Sequence, residues 1–385
     1  MTARPCIAVS VDEMGNNRIT DPDQDTAHAD SGITIWLDDL SRNLLSSGEL
    51  ARLIRDKHIV GVTADPAALV AALKQGNSYD EEIRLLAATG ADPPTAVREL
   101  TSTDARHAAD LLLDIHRTTR GIDGWASIPI DPRLAHDTDA TVAEAKELWL
   151  TVYRNNVLVN IPATTEGLSA ITRTLGEGIS INATLIFSPS RYREVTEAFF
   201  TGLEQARDNG QHLGRIQSVA SFFVSRIDTE VDARLNAIPD DDARRLRGQA
   251  ALASARLVNG AYEELYTTER WQALAAAGAA PQRLLWASTT AKSLSYPDTT
   301  YVRQLVAFNG DSIRRSAGEM LDRLSAAGID LDDVYRTLEH KDIEKLTQSW
   351  LDMLDAVDSR LAQVKGCTRD FVPLLENPPG HSATE

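Results

Sequence analysis

Two carboxylates and an amide stand where short β-prone runs of this chain stop: Asp38 in IWLDDLSR, Asp65 in GVTADP and Asn160 in NIPATTEGL. Carboxylates held close together cannot both ionise freely, so their pKa values separate into one acid and one base near neutrality. An amide N–H aimed at a carbonyl oxygen adds modest electrophilic help of the oxyanion-hole kind. That set suits enolisation, dehydration, isomerisation or cyclisation of a carbonyl-bearing substrate. Asp65 carries a second reading, because it precedes Pro66 and an Asp-Pro pair commonly opens a helix or turn with the carboxylate as its cap. Both readings of Asp65 stay open at this level.

Other chemistry is poorly provided for. His107, His116 and His136 come with no HxxxH or paired-carboxylate spacing, so no metal is expected. Cys6 and Cys367 form neither a disulfide framework nor a CxxC pair. The glycines of LGEGIS join a helix to a strand and cradle no phosphate, and no cofactor is expected. With 56 acidic against 39 basic residues and a net charge of −17, the chain lacks the basic face that nucleic acid or an anionic membrane needs. The opening residues do not read as a leader, and no apolar run reaches bilayer length, so a cytoplasmic location is expected.

The elements that would position these groups follow from periodicity. β-prone runs at Ile33 to Leu37, His58 to Thr63, Trp125 to Ile130, Val157 to Ile161, Asn182 to Phe187, Ser218 to Val224, Leu284 to Ala287 and Tyr301 to Ala307 alternate with helical segments. Val142, Ala145, Leu148, Trp149 and Val152 recur at steps of three and four, as do Tyr192, Val195, Phe199, Leu203 and Ala206, which marks one apolar face on each helix. Apolar strands without strict alternation suggest burial on both sides. Eight βα units in 385 residues predict an α/β fold, a single (β/α)8 TIM barrel with its function at the carboxyl ends of the strands. An open doubly wound sheet is second choice, since no Gly-rich loop follows the first strand. The barrel is expected over residues 32–375, with residues 1–31 and 376–385 as polar, flexible tails.

Seven segments, in chain order, resemble signatures of the transaldolase family of the longer bacterial type. They are IWLDDLSR (35–42), GVTADP (61–66), SIPIDPRLAHDT (127–138), NIPATTEGL (160–168), GISINATLIFSPSRY (178–192), SVASFFVSRIDTEVDARL (218–235) and WASTTAKSLSYPDTTYV (286–302). The resemblance implies a barrel of the transaldolase and class I aldolase type acting on a small, phosphorylated or otherwise carbonyl-bearing substrate. In such chemistry a lysine amine attacks a ketose carbonyl, and the iminium draws electrons while an aspartate accepts a proton. Asp38 matches that aspartate, and Asn182 and Thr184 match the polar pair that orients substrate and water. Ser221 and Arg226 match the next strand, with Arg226 gripping the substrate phosphate. Ser288 and Lys292 complete the anion site, and Thr63 and Phe223 join the substrate-binding set.

Departures from the family pattern fall on the covalent step. Asn160 stands where the family has its Schiff-base lysine, Pro129 where it has a glutamate, and Asp65 where it has an asparagine; a family loop is also missing after Val306. Lys57, Lys74 and Lys146 lie on helical segments, and Lys292 reads as an anion ligand, so none replaces the amine. The expectation is therefore a transaldolase-like protein that has lost Schiff-base chemistry, repurposed for acid/base catalysis with Asp38, Asp65 and Asn160, in specialised biosynthesis. Alternatives are a non-catalytic sugar-phosphate-binding pseudoenzyme, and a residual transaldolase that transfers dihydroxyacetone between sugar phosphates. Oligomeric state is not indicated.

Overall fold

Short runs such as IVGVT and VLVNIP are rich in β-branched and apolar residues and end at Pro, Asp or Thr, which makes each a strand followed by a helix start. The computed structural model describes residues 6–10, 34–38, 40–64, 66–289, 301, 305 and 311–369. Its strands are β1 (Cys6–Val9), β2 (Thr34–Leu37), β3 (Ile59–Thr63), β4 (Trp125–Pro129), β5 (Val157–Pro162), β6 (Ile181–Ile186), β7 (Ser218–Phe223) and β8 (Arg283–Ala287). All pair in parallel and in sequence order, and β8 returns to β1, so the sheet closes into a barrel. The fold class expected from the sequence is the one observed.

Two elements differ from the expectation. Cys6–Val9, read as part of a flexible tail over residues 1–31, is the first barrel strand and pairs with both β2 and β8. Tyr301 and Leu305, read within an eighth strand, are helical, and Ala307 lies outside the described residues. Asp38 therefore follows the second strand and not the first. The tail expected at 376–385 and the loop expected to be missing after Val306 also lie outside the described residues.

Helices surround the barrel: α1 (Arg42–Ser46), α2 (Glu49–Lys57), α3 (Pro66–Gln75), α4 (Asp80–Ala88), α5 (Pro93–Thr118), α6 (Thr138–Val152) and α7 (Thr165–Gly176). They continue as α8 (Pro189–Asp208), α9 (Ser225–Ala237), α10 (Asp241–Arg244), α11 (Ala250–Leu265), α12 (Glu269–Ala276), α13 (Asp311–Ala326) and α14 (Leu331–Arg369). Several start where the sequence supplies a cap: Asp92, Asp137, Thr164 and Ser188 each accept a backbone N–H from the first turn of the helix that follows. No helix among the described residues is long and apolar enough to cross a membrane.

Inside the barrel, Cys6, Trp36, Trp125, Leu158, Val219 and Leu285 form an apolar plug. Trp36 faces Gly61 across the β2–β3 pair, and a Cβ at Gly61 would lie 2.4 Å from the indole ring, so only glycine fits there. At the amino-terminal end Arg283 is buried, with Asp123 and the Thr34 hydroxyl each 2.7 Å from its guanidinium.

The 39-residue α14 is the element that reshapes a simple barrel. Its Trp350, Met353 and Val357 pack with Leu69, Ile83 and Leu100 of α3, α4 and α5 into a second core. A buried polar cluster fixes the helices beneath it. Asp104 accepts from the Arg42 guanidinium and from the Tyr79 hydroxyl at 2.7 Å, and Arg42 also reaches Glu82 at 2.8 Å.

Candidate active site

At the carboxyl ends of the strands lies a cleft of about 160 Å³, and it gathers residues from all eight strands or the loops that follow them. Asp38, Thr63, Asn160, Asn182, Thr184, Ser221, Phe223 and Arg226 all line it. Ser288 does not join them; its hydroxyl sits 3.1 Å from that of Ser225 at the start of α9. Asp65 and Lys292 lie outside the described residues, so the proposed Asp38 and Asp65 carboxylate pair has no described geometry.

A hydrogen-bonded ladder runs across the floor of this cleft. The Ser221 hydroxyl donates to Asn182 Oδ1 at 2.7 Å, and Asn182 Nδ2 donates to the Ser127 hydroxyl at 3.3 Å. Ser127 in turn donates to Asn160 Oδ1, and Asn160 Nδ2 approaches the Thr63 hydroxyl at 3.5 Å. Five consecutive strands, β3 to β7, each contribute one member. Every member is buried, with Ser127 fully so. Buried polar groups that satisfy one another in this way hold fixed orientations, because each alternative rotamer leaves a donor unpartnered.

Ser127 was not among the residues expected from the sequence. Its signal was present, since it pairs in register with Thr63 on β3 and sits on the same strand as Pro129, but a lone serine in a strand is usually read as packing. Asn160, expected to aim its amide at a substrate carbonyl, is engaged at both ends by the ladder.

Next to the ladder β6 carries a bulge. The register with β7 slips between Ala183 and Ile186, and Leu185 has φ of 59°, a left-handed conformation rare for a branched side chain. Strict alternation would turn Leu185 away from Thr184, whereas here both line the cleft.

The open side of the cleft is walled by α14, which supplies Asp342, Lys345, Leu346 and Ser349. Arg226, at the start of α9, stacks over Phe223 at 5.3 Å and donates through Nη1 to Asp342. Lys345 is the one primary amine among the described residues that line the cleft. None of these α14 residues was expected, because the periodicity of a polar helix does not say which neighbour it will cross.

A parallel eight-stranded barrel with its polar cleft at the strand ends defines an enzyme-type (β/α)8 scaffold. Residues 35–357 match the family model for transaldolase/fructose-6-phosphate aldolase, and the chain belongs to that family. It is 51% identical over 362 residues to a transaldolase of Saccharopolyspora erythraea, covering 88% of this chain and 98% of that protein. A transaldolase of Arthrobacter sp. (strain FB24) is 49% identical over 360 residues (88% and 97%), and one of Thermobifida fusca is 48% identical over 357 (87% and 97%).

These relatives overturn the expectation of a protein that has lost its chemistry and been repurposed, or that only binds. Proteins about half identical along nearly their whole length carry the name transaldolase. The physical weakness of that expectation was its search for an amine. It considered the strands and set helical lysines aside, whereas α14 brings Lys345 to the cleft.

Proposed function

We propose that the chain is a transaldolase that moves a dihydroxyacetone unit between small sugar phosphates in the cytoplasm. The observation that carries this reading is the 51% identity, over nearly the whole length, to a protein named transaldolase, in a chain whose strand ends hold Asp38 and the Thr63 to Ser221 ladder in one cleft. In this reading the Lys345 amine attacks the ketose carbonyl, and loss of water gives the iminium. The Asp38 carboxylate takes the proton of the hydroxyl beside the scissile bond. That carbon–carbon bond breaks, its electron pair enters the iminium as an enamine, and the shortened aldose phosphate leaves. Addition of the enamine to a second aldose phosphate, then hydrolysis, returns the free amine. Thr184 and the Asn182 amide orient the hydroxyls, and Arg226 anchors the phosphate.

Borohydride reduction of the protein with fructose 6-phosphate tests the covalent step. The expected result is one reduced adduct, mapped to Lys345 and absent from Lys345→Met, together with transfer product when an aldose phosphate acceptor is present. An unmodified intact mass with no transfer product sinks the reading.

A further inference from the structure

The Arg226 guanidinium, offered above as the phosphate anchor, already has a carboxylate partner from its own chain. Asp342 is buried, and its Oδ1 accepts from Arg226 Nη1. Arg226 Nε is buried and makes no hydrogen bond among the described residues, whereas the side chain as a whole lines the cleft and stays 21% exposed, which leaves part of the guanidinium within reach of a ligand. Ion pairs hold the same stretch of α14 to the barrel: Glu339 lies 3.5 Å from Arg191 on α8, Lys341 lies 2.8 Å from Glu230, and Asp333 lies 2.7 Å from Arg234 on α9. The carboxylate is thus delivered by a fastened helix and not by a loose side chain.

We propose that Asp342 is a tethered competitor for the substrate phosphate at Arg226 and sets the specificity of the cleft for phosphorylated against unphosphorylated sugars. The inference rests on the reading that Arg226 is the phosphate anchor. A carboxylate and a phosphate seek the same planar donor fork, and one guanidinium face cannot hold both at full strength. A dianionic phosphate entering beside Asp342 also meets a like charge in a partly dry cleft, where repulsion is poorly screened. When the competent state is only a fraction of the population, apparent affinity falls by that fraction, so an Arg226 paired with Asp342 nine-tenths of the time weakens phosphate binding about tenfold. Sugars without phosphate never contact the fork and bind without this penalty.

Calorimetric titration of inorganic phosphate, fructose 6-phosphate and fructose into the whole protein tests this without requiring turnover. Asp342→Asn keeps the shape and a neutral acceptor for Arg226, so the fold is retained. It is expected to tighten both phosphate-bearing ligands about tenfold or more while leaving fructose unchanged. Asp342→Glu, which keeps the charge, is expected to stay weak, and Arg226→Gln added to Asp342→Asn is expected to remove the gain. If Asp342→Asn leaves phosphate binding unchanged or weaker, Asp342 positions Arg226 and does not compete, and the proposal falls. An equal gain for fructose also overturns it, because that reports a wider mouth and not a released charge. Failure of the transaldolase reading shows separately, as absence of transfer product in a protein whose phosphate titration still responds to Asp342→Asn.

Discussion

Removing the Asp104 carboxylate isolates the buried cluster that fixes the helices under α14. In the native protein this side chain is 5% exposed and accepts from Arg42 and from the Tyr79 hydroxyl. Asp104→Ala leaves a phenol without its acceptor and a guanidinium with Glu82, 2.8 Å away, and the Leu100 carbonyl at 3.5 Å. Stranding one partner of a buried ion pair costs about 3–5 kcal/mol, a large share of the ~5–15 kcal/mol that holds a folded protein. Tyr79→Phe deletes a single donor and leaves the ion pair, so its cost is about 1 kcal/mol. Exchanging both charges at once, Arg42→Met with Asp104→Leu, removes the two most buried ions, leaves the partly exposed Glu82 to water and the Thr103 hydroxyl, and recovers much of the loss. The measurement is the guanidinium chloride midpoint followed by the fluorescence of the six tryptophans. An Asp104→Ala loss no larger than the ~0.5 kcal/mol of an ordinary surface change refutes the reasoning, as does a double replacement worse than either single one.

Two further outcomes follow from the barrel wall and from a buried acid. Gly61→Ala places a methyl 2.4 Å from the Trp36 ring, and the forced shift is expected to cost about 1–3 kcal/mol; an unchanged melting temperature would contradict it. Asp228 is buried, with the Tyr301 hydroxyl at 2.6 Å and the Ala251 N–H at 2.8 Å, and burial pushes its carboxyl up to about 6. A raised folded-state pKa means that the native protein keeps this proton while the unfolded chain releases it. Stability from this group is therefore present below about pH 4 and is lost as pH rises to about 6, by up to ~3 kcal/mol. Asp228→Asn is expected to flatten that part of the profile, so midpoints measured at pH 4.5 and 6.5 should differ less in the variant than in the native protein.

Seven of the eight strands were legible because each is an apolar run closed by a turn residue and followed by an amphipathic helix. β1 was not, since CIAV is four residues long and has polar sequence on both sides; its strand character comes from pairing with β2 and β8. Tyr301 and Leu305 read as strand for the opposite reason, because aromatic and branched residues suit a sheet until tertiary context decides otherwise. Asp38, Asn182, Thr184, Ser221 and Arg226 were named from motifs shared with the family, and all five line the cleft. Asp342 and Lys345 could not be named in that way, since their place depends on where α14 crosses, more than a hundred residues from the strand that carries Ser221. Asn160 lines the cleft, but its sequence position could not report that its amide is held between Ser127 and Thr63.

The α14 wall also has a consequence in time. Arg226 and Asp342 are separated by 116 residues, and ribosomes add roughly 5–20 residues per second, so the arginine leads its partner by roughly 6 to 23 s during synthesis. The barrel cannot close before β8 reaches β1, and the cleft gains its last side later still. In a nascent chain the guanidinium thus exists before its carboxylate, and a chain interrupted before residue 342 carries Arg226 without Asp342.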